Sequence, residues 1–140
     1  MTERLAGEFR DGAHWLPLRV YYEDTDAGGI VYHSNYLKYC ERGRTDCLRL
    51  RGIHHSRLDG LAFVVRRMAC DFLKPARLDD LLDVETRMIE VGGARVVLAQ
   101  RVLKGLEALF TAEVTVALVD GAGRPRRLPK EMAGHLKLPL

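Results

Sequence analysis

The 140-residue chain has only three cysteines, one tryptophan and five prolines, and its 22 basic residues barely outnumber its 19 acidic ones. Each scarcity excludes something. Cys40 and Cys47 fall two turns apart on one predicted helix, about 10 Å by helical rise, too far to bridge, and an odd third thiol, Cys70, makes no disulfide framework. Three reduced, mostly buried thiols are expected, as in a reducing compartment. The net charge of +3 is too mild and too interspersed to indicate a nucleic-acid-binding surface. No run approaches the roughly 18 apolar residues that span a bilayer, so no membrane span is expected. The opening Met1-Thr-Glu-Arg-Leu-Ala-Gly-Glu8 lacks the apolar centre of a secretory leader, and a cytoplasmic location is expected. There is no internal repeat, low-complexity tract or long linker.

What is present, 47% apolar and 29% charged residues, suits one domain over 1–140 that buries roughly two-thirds of its unfolded surface. Residues 18–23, Leu-Arg-Val-Tyr-Tyr-Glu, predict a short strand ended by the turn-rich Asp24-Thr-Asp-Ala-Gly-Gly29. From an N-cap at Ser34 or Asn35, the apolar positions Leu37, Cys40, Cys47 and Leu48 predict a helix of about 17 residues that stops near Gly52. Gly43 inside it is about 1 kcal/mol less favourable than alanine, which predicts close approach of the helix to another backbone.

The period then changes from helical to alternating. Residues 61–73, 82–91, 94–104 and 107–119 read as strands, the last with Phe110, Ala112, Val114, Val116 and Leu118 on one face and Thr111, Glu113 and Thr115 on the other. Turns at Gly92-Gly93 and Lys104-Gly105 imply an antiparallel meander, and Gly121–Pro129 reads as a loop before a short helix at 130–137. The fold class expected is α+β, one long helix wrapped by a five-stranded antiparallel sheet. One helix cannot cover such a sheet, so a homodimer at least is expected, paired through first strands or edges.

The groups able to do chemistry concentrate between Tyr21 and Tyr36, in YYEDTDAGGIVYHSNY. Small residues follow Asp26 and leave its carboxylate approachable, and His33 comes seven positions later at the helix entry. A carboxylate charged at neutral pH beside unsatisfied N–H groups of a helix start suits acyl transfer: one group attacks or activates water, the others hold the oxyanion. Thioesters suit this set in particular, since a thiolate leaves without strong acid help. Asp26 reads equally as a turn residue capping its own backbone, His33 as a helix-entry residue with one structural hydrogen bond, and Glu23 and Asp24 as structural.

The run Tyr22-Glu-Asp-Thr-Asp-Ala-Gly-Gly-Ile-Val-Tyr-His33, with Asn35-Tyr36-Leu37 and Glu41-Arg42-Gly-Arg44, resembles the 4-hydroxybenzoyl-CoA thioesterase-type hotdog family, most closely its YbgC-like, Tol-Pal-associated acyl-CoA thioesterases. Asp79-Asp80-Leu-Leu-Asp-Val84 and Arg127-Leu-Pro129 extend the likeness over roughly residues 17–135. The resemblance implies a hotdog fold, acyl-CoA hydrolysis, and active sites at the interface of a homodimer that often pairs into a homotetramer. It places the catalytic aspartate on Asp26, the motif histidine on His33 and an active-site tyrosine on Tyr22, with Glu41 as a second candidate carboxylate that reads as an ion-pair partner of Arg42 and Arg44. No cofactor is implied, coenzyme A being part of the substrate.

Coenzyme A phosphates call for basic side chains at the site mouth. Lys74 and Arg77 form one candidate set, and Arg124, Arg126, Arg127 and Lys130 another that would equally meet an acidic acyl carrier protein. Three other readings stand beside this one. Asp24 and Asp26 with His54 or His55 could hold a divalent metal for phosphoryl transfer, although no Gly-rich phosphate loop accompanies them. A non-catalytic acyl-binding module would have no use for a carboxylate beside the thioester carbon. A nucleic-acid role for the Arg124–Lys130 run lacks interleaved aromatics.

Overall fold

Asp11 and Gly12 both take positive φ, 53° and 75°, as the two-residue hairpin turn requires. In this computed structural model, which describes residues 4–137, they join β1 (Glu8–Arg10) to β2 (Ala13–Arg19). Met1–Glu3 and Leu138–Leu140, the ends of the 1–140 domain expectation and the first residues of the opening Met1–Glu8 segment, lie outside the described residues.

The strand expected at 18–23 is displaced. β2 ends at Arg19 and Tyr22–Asp24 forms one 3-10 turn. The Asp24 carboxylate accepts the Tyr21 N–H at 2.8 Å, a local bond that competes with a strand ladder. Pro17 is tolerated inside β2 because it lies beyond Ala13–Trp15, the stretch paired with β1, so no ladder bond to that neighbour is lost.

The remaining strands are β3 (Ala62–Phe72), β4 (Leu81–Gly92), β5 (Arg95–Lys104) and β6 (Glu107–Val119), close to the expected spans. The sheet has six strands rather than five, all antiparallel, in the order β1-β2-β4-β5-β6-β3. β4, β5 and β6 form the meander. β3 does not neighbour β4; it pairs with β6 and leaves its other side as a sheet edge.

α1 (His33–Leu50) begins earlier than the expected caps at Ser34 or Asn35, with Tyr32 as N-cap. It packs on β2, β4 and β5 through Tyr36, Tyr39, Cys40, Gly43, Cys47 and Leu48, against Leu82, Val84, Leu98 and Phe110 of the sheet's inner face. A Cβ at Gly43 would lie 2.7 Å from Val84 Cγ1 and 3.2 Å from Thr86 Oγ1. The close approach is therefore to side chains of the sheet rather than to a backbone. α2 (Lys130–Lys137) has the expected bounds and docks on the end of α1, where Arg51 Nη1 donates to the carbonyls of His135 and Leu136, each at 3.0 Å.

All three cysteines are free. Burial pushes the Cys40 and Cys47 thiols up, to about 12 and about 11, so both stay protonated and inert. No helix among the described residues is long and apolar enough to cross a membrane.

Candidate active site

The loop from Tyr21 to Tyr32 is closed on itself by backbone bonds. Thr25 pairs with Val31, the Asp26 N–H donates to Ile30 O at 2.9 Å, and the Tyr32 N–H donates to Asp24 O at 2.9 Å. The loop is also strapped to the β3–β4 connection, since Ile30 pairs with Arg77 and the Val31 N–H donates to Ala76 O at 2.9 Å. Asp26 sits in this frame just before the tip. Its Oδ1 accepts the Gly28 N–H at 2.8 Å, the turn-capping role weighed above, and its Oδ2 has no partner among the described residues.

Asp26 lines a groove of about 450 Å3 with Tyr32, His33, Tyr36, Phe72 and Lys74. The His33 ring lies 4.5 Å from that of Tyr32 and meets Phe72 edge-on at 6.2 Å. Tyr36 stacks on Phe110 at 5.2 Å, and its hydroxyl accepts the Ala76 N–H at 2.9 Å. Burial raises the Tyr36 pKa, so it is neutral there.

The start of α1 supplies the donors. Tyr32 gives no side-chain cap, and the Asn35 N–H is taken by Tyr32 O at 2.8 Å. The N–H groups of His33 and Ser34 are left without partners among the described residues, at the positive end of the helix dipole. One open groove thus holds Asp26, the His33 residue that begins α1 and an apolar floor, with the unpartnered amides of that helix start belonging to His33 and its neighbour Ser34.

Other expected residues lie elsewhere in the single chain. Tyr22, 81% exposed, lines a separate hollow with Tyr21, Glu23, Leu78 and Asp79. Lys74 is at the groove and pairs with Glu107 at 2.5 Å, while Arg77 is exposed beside Ile30. Arg124, Arg126 and Arg127 are at the far end of the sheet. The β3–β6 ladder runs from Phe72↔Phe110 at the groove to Ala62↔Val119 next to them, roughly 33 Å by strand rise. Arg126 there binds Asp120 at 3.1 Å. Lys130 opens α2.

Glu41 is exposed and forms no ion pair with Arg42 or Arg44, contrary to the expected pairing; it lines a second cavity with Arg44. His54 and His55 follow the other end of α1, an 18-residue helix about 27 Å long, and so lie far from Asp24 and Asp26. Among the described residues no three His, Cys, Asp or Glu side chains are grouped to hold a metal ion. Tyr36, Phe72 and Leu73 went unrecognised as groove residues. For Phe72 and Leu73 the signal was an apolar pair just before Lys74-Pro75, both exposed where a strand end would ordinarily turn polar.

The family model described as Thioesterase superfamily matches residues 28–109. The chain belongs to the thioesterase superfamily. Among its curated relatives, the acyl-CoA thioesterase YbgC of Haemophilus influenzae is 46% identical over 91% of this chain and 98% of the relative. The acyl-CoA thioester hydrolase YbgC of Escherichia coli O6:H1 is 43% identical over 86% of this chain and 93% of its own length. A crystal structure described as a "Probable Thioesterase" from Bartonella henselae matches with a TM-score of 0.81 at 44% identity, covering 84% of this chain and 99% of that one. The α+β arrangement of a long helix on an antiparallel sheet is thus the hotdog thioesterase fold, here with six strands.

Proposed function

We propose that this chain hydrolyses acyl-CoA thioesters, releasing a carboxylic acid and free coenzyme A. Asp26 acts as nucleophile or as general base on water; the carbonyl carbon gains an oxygen and loses its sulfur, which departs as thiolate. The His33 and Ser34 amides receive the oxyanion, and His33 positions water or assists the departing sulfur. The observation that carries this reading is the shared groove of Asp26, His33 and the uncapped helix start, with Tyr36 and Phe72 beneath. Tyr22 stands outside that groove, so the proposed centre is Asp26 with His33.

The proposed enzyme is one domain over 1–140, cytoplasmic, and needs no cofactor. It works as a homodimer, formed through the β3 edge and pairing further into a homotetramer. Support comes from an 11-residue edge strand with Val64, Val65 and Phe72 exposed, an apolar edge that soluble proteins ordinarily cover. Antiparallel pairing about a two-fold axis through the middle of β3 sets Phe72 of one copy near Ala62 of the second. Arg124, Arg126 and Arg127 of one copy then approach the Lys74 and Arg77 side of the other, a basic rim for coenzyme A phosphates or an acidic acyl carrier protein.

The test is thiol release over a panel of acyl-CoAs. Asp26→Asn keeps an oxygen for the Gly28 N–H and removes the charge, whereas Asp26→Ala removes both. Both are expected to lower turnover at least about 100-fold while the thermal midpoint of Asp26→Asn stays that of the parent. Full activity in Asp26→Asn, or unfolding in place of inactivation, overturns the assignment.

A further inference from the structure

Between α1 and β3 lies a second cavity of about 400 Å3 that the proposed chemistry does not use. Leu48, Phe63, Val96 and Leu98 give it apolar walls, and Arg44, Thr45, His55 and the exposed carboxylate of Glu41 give it polar ones. Arg44 is half-buried, and its one hydrogen bond runs from Nη1 to the side-chain oxygen of Gln100 at 3.0 Å. Gln100 is itself fixed, its Nε2 donating to Cys40 O and to Thr86 Oγ1, each at 2.9 Å. A guanidinium has five N–H donors, so most of this one's are uncommitted. No carboxylate lies within ion-pairing distance of it among the described residues. Glu41 acts on it through space, yet is itself exposed to water.

A cation partly drawn from water, clamped by a neutral buried amide and lining a largely apolar cavity, has no ion-pair partner in contact to offset its desolvation. A ligand that brings an anion supplies it. His55, set edge-on to Phe63 at 6.1 Å, lines the same cavity, its pKa lowered by partial desolvation and by the charges of Arg49 and Arg44, with Glu41 opposing.

We propose that this cavity receives the acyl group of the substrate and that the acyl group ends in a carboxylate, held by Arg44 with His55 beside it. The preferred substrates are then coenzyme A half-thioesters of aliphatic dicarboxylic acids, the methylenes lying on Leu48, Val96 and Leu98. This rests on the thioesterase reading and goes beyond it by naming the acyl class. His33 and Arg44 are 11 residues apart on α1, about 16 Å along one chain. In the β3-paired dimer the path is shorter, because Phe63 of the second copy comes beside Phe72 of the first.

The test compares kcat/KM for glutaryl-, adipyl- and suberyl-CoA with that for unsubstituted acyl-CoAs of matched length and for a hydroxyphenyl acyl-CoA, in the full-length protein and in Arg44→Met and Arg44→Lys. The expected result is a preference for the carboxyl-ended series of at least about tenfold, lost in Arg44→Met and partly kept in Arg44→Lys. A preference for the unsubstituted or hydroxyphenyl substrates overturns the inference and leaves the thioesterase reading intact. Hydrolysis of none of them removes that reading. In that event calorimetry with free adipate still decides the cavity, saturable binding to the parent protein upholding it and no binding overturning it. The same titration decides if Arg44→Met does not fold.

Discussion

The side-chain amide of Asn35 donates to the main-chain carbonyl of Asp24 across 2.8 Å, and the Tyr32 N–H donates to the same oxygen at 2.9 Å. One carbonyl thereby ties the first turn of α1 to the neck of the loop that carries Asp26. That tie adds to the backbone bonds from Asp26 to Ile30 and from Val31 to Ala76 in setting the spacing of the carboxylate from the helix start.

Asn35 is buried, so truncating it removes a satisfied hydrogen bond as well as a tether. Asn35→Ala is expected to lower turnover at least about tenfold and to reduce stability by about 1–2 kcal/mol. Asn35→Asp sets two effects against each other. An anion in the first helical turn favours the helix, but a buried carboxylate cannot donate to Asp24 O and would face it unpaired, so neither turnover nor stability should recover. Saturating thiol-release rates beside thermal melts check this, and undiminished turnover in Asn35→Ala would show that the loop holds its place without the tether.

The sheet beyond residue 61 was legible because alternation along β6, from Phe110 to Leu118, marks a face, and its inward residues are indeed buried. Alternation does not name neighbours, which is why the passage of β3 across to β6 was invisible. The Asp11-Gly12 hairpin was the available signal for β1 and the true β2, but a three-residue strand and an internal proline weaken any period. In the site, Asp26, His33 and Lys74 could be found from their chemistry. Tyr36 could not, since an aromatic residue at its spacing reads as core, and it is both core and groove floor; Phe72 left only the trace of its apolar pair with Leu73. Tyr22 sits apart because the Asp24-capped turn replaced the strand that would have aimed it.

Gly43 offers a test of packing against propensity. Alanine is the better helix former by about 1 kcal/mol, so a free helix would gain. Here the added methyl would come within 2.7 Å of Val84 Cγ1 and 3.2 Å of Gln100 Nε2, on a wall that includes the amide holding Arg44. Gly43→Ala is expected to destabilise the fold by about 1–3 kcal/mol, and Val84→Ala in the same chain to restore part of the loss. Urea denaturation of the two single variants and the double variant measures the coupling, and a single variant as stable as the parent would sink the packing account.

Glu85 offers a test of charge against pH. Its carboxylate is 3% exposed on the outer face of the sheet, with Arg101 Nε at 2.5 Å and Arg87 Nη2 at 3.1 Å. Burial pushes its pKa up, but the Arg101 hydrogen bond and charge, followed by those of Arg87, outweigh burial and hold it below the ordinary glutamate value. A carboxylate whose pKa is depressed by folding contributes its full stabilisation above the unfolded pKa and loses it as pH falls through the folded one. The parent protein should therefore exceed Glu85→Gln in stability by about 1–3 kcal/mol at pH 7, and the gap should close only on acidification below about pH 4. Asp80 and Asp120, also depressed, are present in both proteins and cancel in the difference. Paired denaturation curves at neutral and acid pH read the gap directly. A gap that persists unchanged at low pH would mean that the fit of the side chain, and not its charge, is what the two arginines recognise.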